Sequence, residues 1–554
     1  MSKTKYSKVV IIGAGFSGLA MACQLQDKFG EFDYTIYERS KEVGGTWSAN
    51  KYPGCAVDIP AALYSLSFAP HPGFSKLCPS QAEVLDYFHE VAHRYRVLQH
   101  VACQTEWEGA QWQEDRQTWR VRMRDLVNGT VFQHECKILI SAVGALVNPN
   151  SFDLPGVDSF RGEIVHTARW RDDLSLRGKD VVVVGNGASA AQVIPAVIHE
   201  TKTITQFIRT PQYYVPNDNF DISAFWRAVF RWLPGCLLLF RFLLFVYLET
   251  ALVMIGRGEQ GSRSRLVAAT KSKEYMTGSA PEKYWPLLLP QYEIGCKRRV
   301  FDKAKYIPCL QNDKLQLTAD PIVRIGESSV LTRSGRSYPA DAIVLATGFS
   351  LTHWDVDVRG RAGRSRAQHW DDFGYIEAFH SVAMNEFPNF FYILGPNCGR
   401  AHTSTLFAIE RSLSQFISAT PHGNSTDWTS YTHLILRVIR PILEGRASAV
   451  EPKHDSERRY NEQLHAAIDK TVFTDSCSTY FNDTKTGRNW FIYPWSSLQM
   501  WYSTHWAGLD DWSYDARSPS DANTACLRPE KSLLQRCKCR MDESVRSGIC
   551  HDYC

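Results

Sequence analysis

The chain has 554 residues, 44% of them hydrophobic and 22% charged, with a formal net charge of +4. That length exceeds one ordinary core and predicts two or three domains, while the composition excludes a disordered or fibrous chain. A charge this small gives a nucleic-acid partner no support, and oligomeric state is not legible.

The opening residues "MSKTKYSK" are polar and basic and run straight into a strand. This predicts no secretory signal, a cytoplasmic location and reduced thiols for the 15 cysteines. Lys8 to Ile12 is an apolar run followed at once by Gly13-Ala14-Gly15-Phe16-Ser17-Gly18. "LAMACQLQDKF" then has helical spacing, and "YTIYE" reads as a second strand ending in Glu38. Strand, glycine turn, helix, strand and acid make one βαβ dinucleotide unit. Gly13 permits the tight turn, Gly15 lets a diphosphate approach the backbone, and Gly18 lets helix and strand pack closely. The helix N-terminus supplies amide donors. Glu38 suits ribose hydroxyls and repels a 2′-phosphate, which points to FAD or NAD.

"KILISAVGAL", from Lys137, reads as a strand closing in a small-residue turn. A polar connector follows, with Phe160, Gly162, His166 and Trp170 at set intervals. The grammar then restarts at Asp180 with "VVVVGNGASAAQVIPAV" and "TITQFIR". Here the turn carries Gly185, Gly187 and Ala190, and the second strand ends in Arg209-Thr210 where the first unit has Glu38. A cation and a hydroxyl fit a 2′-phosphate, hence NADPH.

Residues 216–292 are helical, aromatic and basic, an insertion in the second domain. Within it, Trp232 to Ile255 is strongly apolar but is interrupted by Arg241 and Glu249. Its uninterrupted runs fall short of the roughly 20 residues a span needs, so a buried or amphipathic helix pair is expected in preference to membrane contact. "DAIVLATGF", Asp341 to Phe349, repeats the small-residue strand end. "RGRAGRSR", Arg359 to Arg366, reads as a solvated loop. After Trp512 apolar periodicity fades and cysteines gather, at spacings that match no zinc pattern, and no metal is expected.

FAD and NADPH on one chain imply a hydride relay. A disulfide reductase of this layout needs a Cys-x-x-Cys beside the flavin, and none exists; Cys537-Lys538-Cys539 is one residue too short. Molecular oxygen is the remaining common acceptor.

The connector Phe160-x-Gly162-x-x-x-His166-x-x-x-Trp170 resembles the fingerprint of Baeyer–Villiger monooxygenases, which are class B flavin-dependent monooxygenases. "VGGTW" (Val43 to Trp47), "YPGCAVD" (Tyr52 to Asp58), "IGCKR" (Ile294 to Arg298), "LATGF" and "FPNFFYILGPN" agree with it. The likeness covers roughly residues 8 to 512, and its wording is nearest to fungal secondary-metabolite FAD monooxygenases. It departs at Arg171, where the fingerprint usually closes with Pro or Asp.

The resemblance implies an α/β fold with two Rossmann-like dinucleotide-binding domains. The FAD domain would be 1–150 and 371–512, and the NADPH domain 155–215 and 293–370 with the insertion 216–292, followed by a cysteine-rich tail, 513–554. It implies FAD and NADPH as cofactors, with a small organic substrate and O2 as partners. Thr46, Trp47 and Asp58 would belong to the flavin region, and Ser189, Arg209, Thr210 and Lys297 to NADPH. His166 would couple cofactor movement to the reaction. Arg298, oriented by Asp58, would favour the ionised flavin peroxide that attacks a ketone. A guanidinium about 4 Å away at an effective dielectric of about 20 contributes about 4 kcal/mol, or about three pKa units. An N-, S- or aromatic-hydroxylating monooxygenase is the alternative, and a non-oxygenating flavin reductase or binding protein a more distant one.

Overall fold

The structure is a computed structural model that describes residues 4–350, 356–400, 404, 406, 409, 431–474, 479, 481–483, 485–505 and 508–516. Strand β1 (Lys5–Ile12) leads through the first glycine turn into helix α1 (Phe16–Phe29), and the chain returns in β2 (Tyr34–Tyr37). Short helix α2 (Thr46–Ala49) and helix α3 (Gln81–Arg94) precede β3 (Val101–Ala102). A meander follows, made of β4 (Thr105–Gln113), β5 (Thr118–Asp125) and β6 (Val131–Ser141). β1 pairs in parallel with β2 on one side and β6 on the other, Val9 facing Tyr34 and Ile138. Phe390–Tyr392 adds a further parallel strand to β6. Val9, Val10 and Ile11 are wholly buried because both faces of the sheet are covered, which explains a continuous apolar run in place of alternation.

Strand β7 (Asn148–Pro149) leaves this body. β8 (Glu163–His166), β9 (Asp180–Val184), helix α4 (Ala188–Val197) and β10 (Thr203–Phe207) build the second. With Leu315–Thr318 and Ala342–Leu345 they form an all-parallel sheet of five strands. Val181 and Val183 belong to one core and Val182 to the other, as period-2 alternation requires. Phe349–Ser350 pairs antiparallel with β7, so the outgoing and returning linkers between the bodies run side by side.

The insertion is helical, with α5 (Ala224–Trp232), α6 (Cys236–Thr250), α7 (Glu259–Ser279) and α8 (Trp285–Leu288). Of the two forms expected for the apolar segment, a buried or an amphipathic helix pair, the buried one is not what the structure shows. α6 packs Arg241 and Phe245 inward, and Leu239, Leu243, Val246 and Tyr247 face solvent. Cys236–Ile255 is long and apolar enough to cross a membrane by length and composition, yet only 17% of that window is buried.

Other expectations are corrected as well. "RGRAGRSR" is no solvated loop: Arg361 pairs with Glu114, Glu451 and Asp515, and Arg366 is buried against the Val356 carbonyl and the Tyr392 hydroxyl. Asp357–Arg359 already pairs with β4, so the chain rejoins the first sheet before residue 370. The body also extends past 512, because Trp512–Ala516 pairs with Ala447–Pro452. The remaining tail, from 517, lies outside the described residues. Eight described cysteines are free thiols, as expected, but Cys296 is disulfide-bonded.

Candidate active site

At the first turn, Gly13 has φ +107°, and a Cβ on it would sit 2.5 Å from the Ala142 carbonyl oxygen. A Cβ on Gly18 would sit 2.1 Å from the Gly13 oxygen. Both positions therefore exclude a side chain. Gly15 caps α1 with no side-chain hydrogen bond, which leaves the first-turn amides to an anion. The Glu38 carboxylate accepts from the Ala14 amide at 2.9 Å and the Ser40 amide at 2.8 Å, one per oxygen. A carboxylate has about four acceptor sites, so capacity remains for ribose hydroxyls. The "VGGTW" loop packs on the same turn: the Gly44 amide donates to the Ala14 oxygen at 2.9 Å, and a Gly45 Cβ would lie 2.9 Å from the Gly15 Cα. Thr46 thus sits exposed beside the turn, and Trp47 is buried with its indole N–H on the Tyr64 hydroxyl, 2.9 Å.

At the second turn, a Cβ on Gly185 (φ +119°) would sit 2.3 Å from the Ala346 oxygen, while Gly187 has open space around it. Gly187 also leaves α4 without a side-chain cap. Asn186 donates to the Thr210 oxygen at 2.8 Å, which ties the turn to the end of β10. Arg209 is exposed there, and Lys297 lies close enough that the guanidinium, after burial, lowers the Lys297 pKa. The Lys297 ammonium stands 4.1 Å from the Tyr292 ring centroid. Arg209, Thr210 and Lys297 are therefore gathered at one strand end. Ser189 lies on the first turn of α4 beside the Tyr52 hydroxyl.

"YPGCAVD" crosses from the first body onto α4 of the second. Tyr52 donates to the Gln192 side chain at 2.9 Å, and Gln192 donates to the Ala56 oxygen at 3.1 Å. A Cβ on Gly54 (φ +79°) would lie 2.4 Å from the Gln192 carbonyl oxygen, so this contact requires glycine. The crossing delivers Asp58 to Arg298, and the two form an ion pair. Arg298 precedes Val300–Asp302, which pairs with Tyr214–Pro216 beyond β10 and so belongs to the second body. Burial pushes the Asp58 carboxyl up, but the Arg298 and Lys303 charges outweigh it and hold it below the usual carboxylate range.

Lys303 and Tyr64 are the residues that sequence reasoning missed. The Lys303 ammonium is buried with no hydrogen-bond acceptor among the described residues; burial lowers its pKa, against the Asp58 charge. Five positions after Arg298 in "KRRVFDK", it reads as one more solvated lysine. Tyr64 senses both Asp58 and Arg298 and carries the Trp47 hydrogen bond.

His166 is not gathered with these groups. It ends β8, accepts from the Ala168 amide at Nδ1 (3.1 Å), and meets the Gly348 oxygen at Nε2 (3.0 Å). That pattern fixes the Nε2–H tautomer. Gly348 belongs to the returning linker, so His166 ties the end of β8 to that linker. Phe160 and Trp170 pack against the cores on opposite faces of the second sheet, and a Gly162 Cβ would strike the Asp341 oxygen at 2.3 Å. Arg171 pairs at the surface with Glu163 and Asp173. A half-open cleft of about 220 Å³ lies near Tyr460 and Trp495, and none of the candidate residues lines it.

Both turns fit a dinucleotide diphosphate, with uncapped amides and glycines where a side chain would collide. Two such turns, one in each body, define a protein that handles two dinucleotides, and the sequence has no Cys-x-x-Cys to take electrons away.

Comparison with known proteins agrees. Residues 11–78 match an NAD(P)-binding Rossmann-like domain. A Baeyer–Villiger monooxygenase of Streptomyces coelicolor is 31% identical, over 95% of this chain and 96% of its own length. An FAD-binding monooxygenase of Aspergillus niger is 31% identical over 89% of this chain and 79% of its length. Cyclohexanone monooxygenase from Rhodococcus sp. Phi1, solved with NADP+, superposes with TM-score 0.77 at 24% identity, covering 93% of this chain and all of that one. The chain belongs to the Baeyer–Villiger and FAD-binding monooxygenase family. It is an oxidoreductase that uses FAD and a nicotinamide dinucleotide to place oxygen from O2 in a small molecule, on a fold of two Rossmann-like domains.

Proposed function

We propose that this enzyme is an NADPH-dependent Baeyer–Villiger monooxygenase of secondary-metabolite biosynthesis, converting a ketone to an ester or lactone. The observation that carries it is the Asp58–Arg298 pair, contributed by the two bodies and placed where they meet. Residues 1–150 with 357–516 form the FAD unit, and 155–350 the NADPH unit with its insertion.

FAD, when bound, supplies the activation of O2. Everything else falls to the chain. Gly13, Gly15 and Gly18 admit the FAD diphosphate, and Glu38 holds its adenosine ribose. Trp47, fixed by Tyr64, shapes the flavin side together with Thr46. Gly185, Gly187 and Ser189 receive the NADPH diphosphate, and Arg209, Thr210 and Lys297 hold its 2′-phosphate. A guanidinium stays charged at any working pH, so Arg298 presents a permanent cation to negative charge developing at the reacting oxygen. Asp58 fixes its orientation, and Lys303 adds a second cation. His166, tied to the returning linker, transmits the relative position of the two bodies.

Incubating the holoenzyme with NADPH, O2 and a substrate bearing a ketone beside a sulfide tests the reading. Ester as main product is expected; sulfoxide alone would overturn it in favour of heteroatom oxidation.

A further inference from the structure

The insertion presents an apolar surface that the oxygenation chemistry does not use. On α6, Leu239, Leu243, Val246 and Tyr247 follow helical spacing on one outward stripe, with Tyr247 71% exposed. On α5 and the turn after it, Phe225, Trp226, Trp232 and Leu233 continue the exposure, Trp232 reaching 78%. The two helices are joined by Phe230 stacked on Phe240 at 5.1 Å between ring centroids. Exposed apolar groups in this number mark an interaction surface.

We propose that this face seats the enzyme on an anionic lipid surface, lying in the headgroup plane without crossing the bilayer. Three observations select lipid. From Ile222 to Leu248 there is no carboxylate, while α5 carries Arg227 and Arg231, which matches anionic headgroups. Trp226, Trp232 and Tyr247 are amphipathic rings of the kind that sit at headgroup level. A second copy is disfavoured by the same charges, because an isologous contact sets like arginines against each other.

Crossing is excluded by the inward face of α6. Arg241 donates to the Ser65 hydroxyl at 2.6 Å and to the Ser65 carbonyl at 3.2 Å, and Phe245 is buried beside it. One face is held by protein and the other is free for acyl chains, which is the geometry of a monotopic contact.

The test uses the full-length, FAD-loaded enzyme and sedimenting vesicles of phosphatidylcholine, with and without phosphatidylserine. The wild type should co-sediment, more strongly with phosphatidylserine and less at high salt, with a blue shift of tryptophan emission. Leu239→Glu/Leu243→Glu, at exposed positions, should keep flavin content and melting temperature and lose about tenfold or more in partitioning. Trp232→Ala should lose part of the emission shift. Wild-type protein that stays in the supernatant with both vesicle types overturns the proposal. So does a glutamate variant that partitions like the wild type, or one whose only change is conversion of a dimer to a monomer in light scattering.

Discussion

Asp58 and Arg298 are 240 positions apart, belong to different nucleotide-binding bodies, and meet in an ion pair. The loop that carries Asp58 is clamped to α4 by Tyr52 and Gln192, so the pair reports on how the bodies are docked. Arg298→Ala should leave flavin reduction by NADPH intact and lower ester formation by about three orders of magnitude, from about 4 kcal/mol of lost stabilisation. Stopped-flow reduction and product yield separate the two. Normal yield would remove Arg298 from the site.

Arg209, Thr210 and Lys297 share one strand end. Losing a hydrogen bond to a charged group costs about 1.5 to 3 kcal/mol. Arg209→Ala should therefore raise KM for NADPH between about tenfold and a hundredfold. KM for NADH should hardly move. Equal rises for both coenzymes would point to a general folding defect.

His166 bridges Ala168 and Gly348. Burial lowers its pKa, with the Gly348 contact opposing. The folded ring therefore takes up a proton less readily than the unfolded one. Its contribution is complete above the ordinary value of 6.5 and is lost as pH falls below that. His166→Ala should still oxidise NADPH but release more hydrogen peroxide per product. In the wild type, coupling should be flat from neutral pH upward and decline on acidification. Unchanged coupling in the variant would end this role.

Glu377 is fully buried, with no hydrogen-bond partner for either oxygen among the described residues. Burial, with Glu457 nearby, pushes its pKa up to about 10. Between its ordinary value of 4.5 and that pKa, the folded chain holds a proton that the unfolded chain releases. Stability must then fall as pH rises through this window. Glu377→Gln should raise the melting temperature at pH 8 by a few degrees and flatten its decline. A variant that melts at or below the wild type across that window would refute the assignment.

Gly54 admits no side chain where it faces Gln192. Gly54→Ala should weaken docking of the two bodies, lowering kcat for ester more than flavin content. Flavin fluorescence and turnover measured on one preparation decide this.

The glycine turns, their strands and the charge contrast between Glu38 and Arg209 were legible because they are local. Turn geometry and the residue ending the second strand lie within one βαβ unit, and their physics needs no distant partner. The resemblance carried Arg298, Asp58 and His166, but not their meeting places. Lys303 was invisible because a buried lysine and a solvated one have the same spelling. The arginines of "RGRAGRSR" misled for a related reason: their carboxylate partners, Glu114, Glu451 and Asp515, are scattered along the chain.

Sequence alone pointed to two dinucleotide units and to the charge contrast between their second strand ends, since backbone sterics and short-range charge act within one βαβ unit. Tertiary structure alone decided what stands beside what. It docked Asp58 on Arg298, fastened His166 to the returning linker and turned the apolar stripe of α6 outward. Each depends on contacts between residues far apart in the chain, and such contacts are fixed only when separate bodies pack.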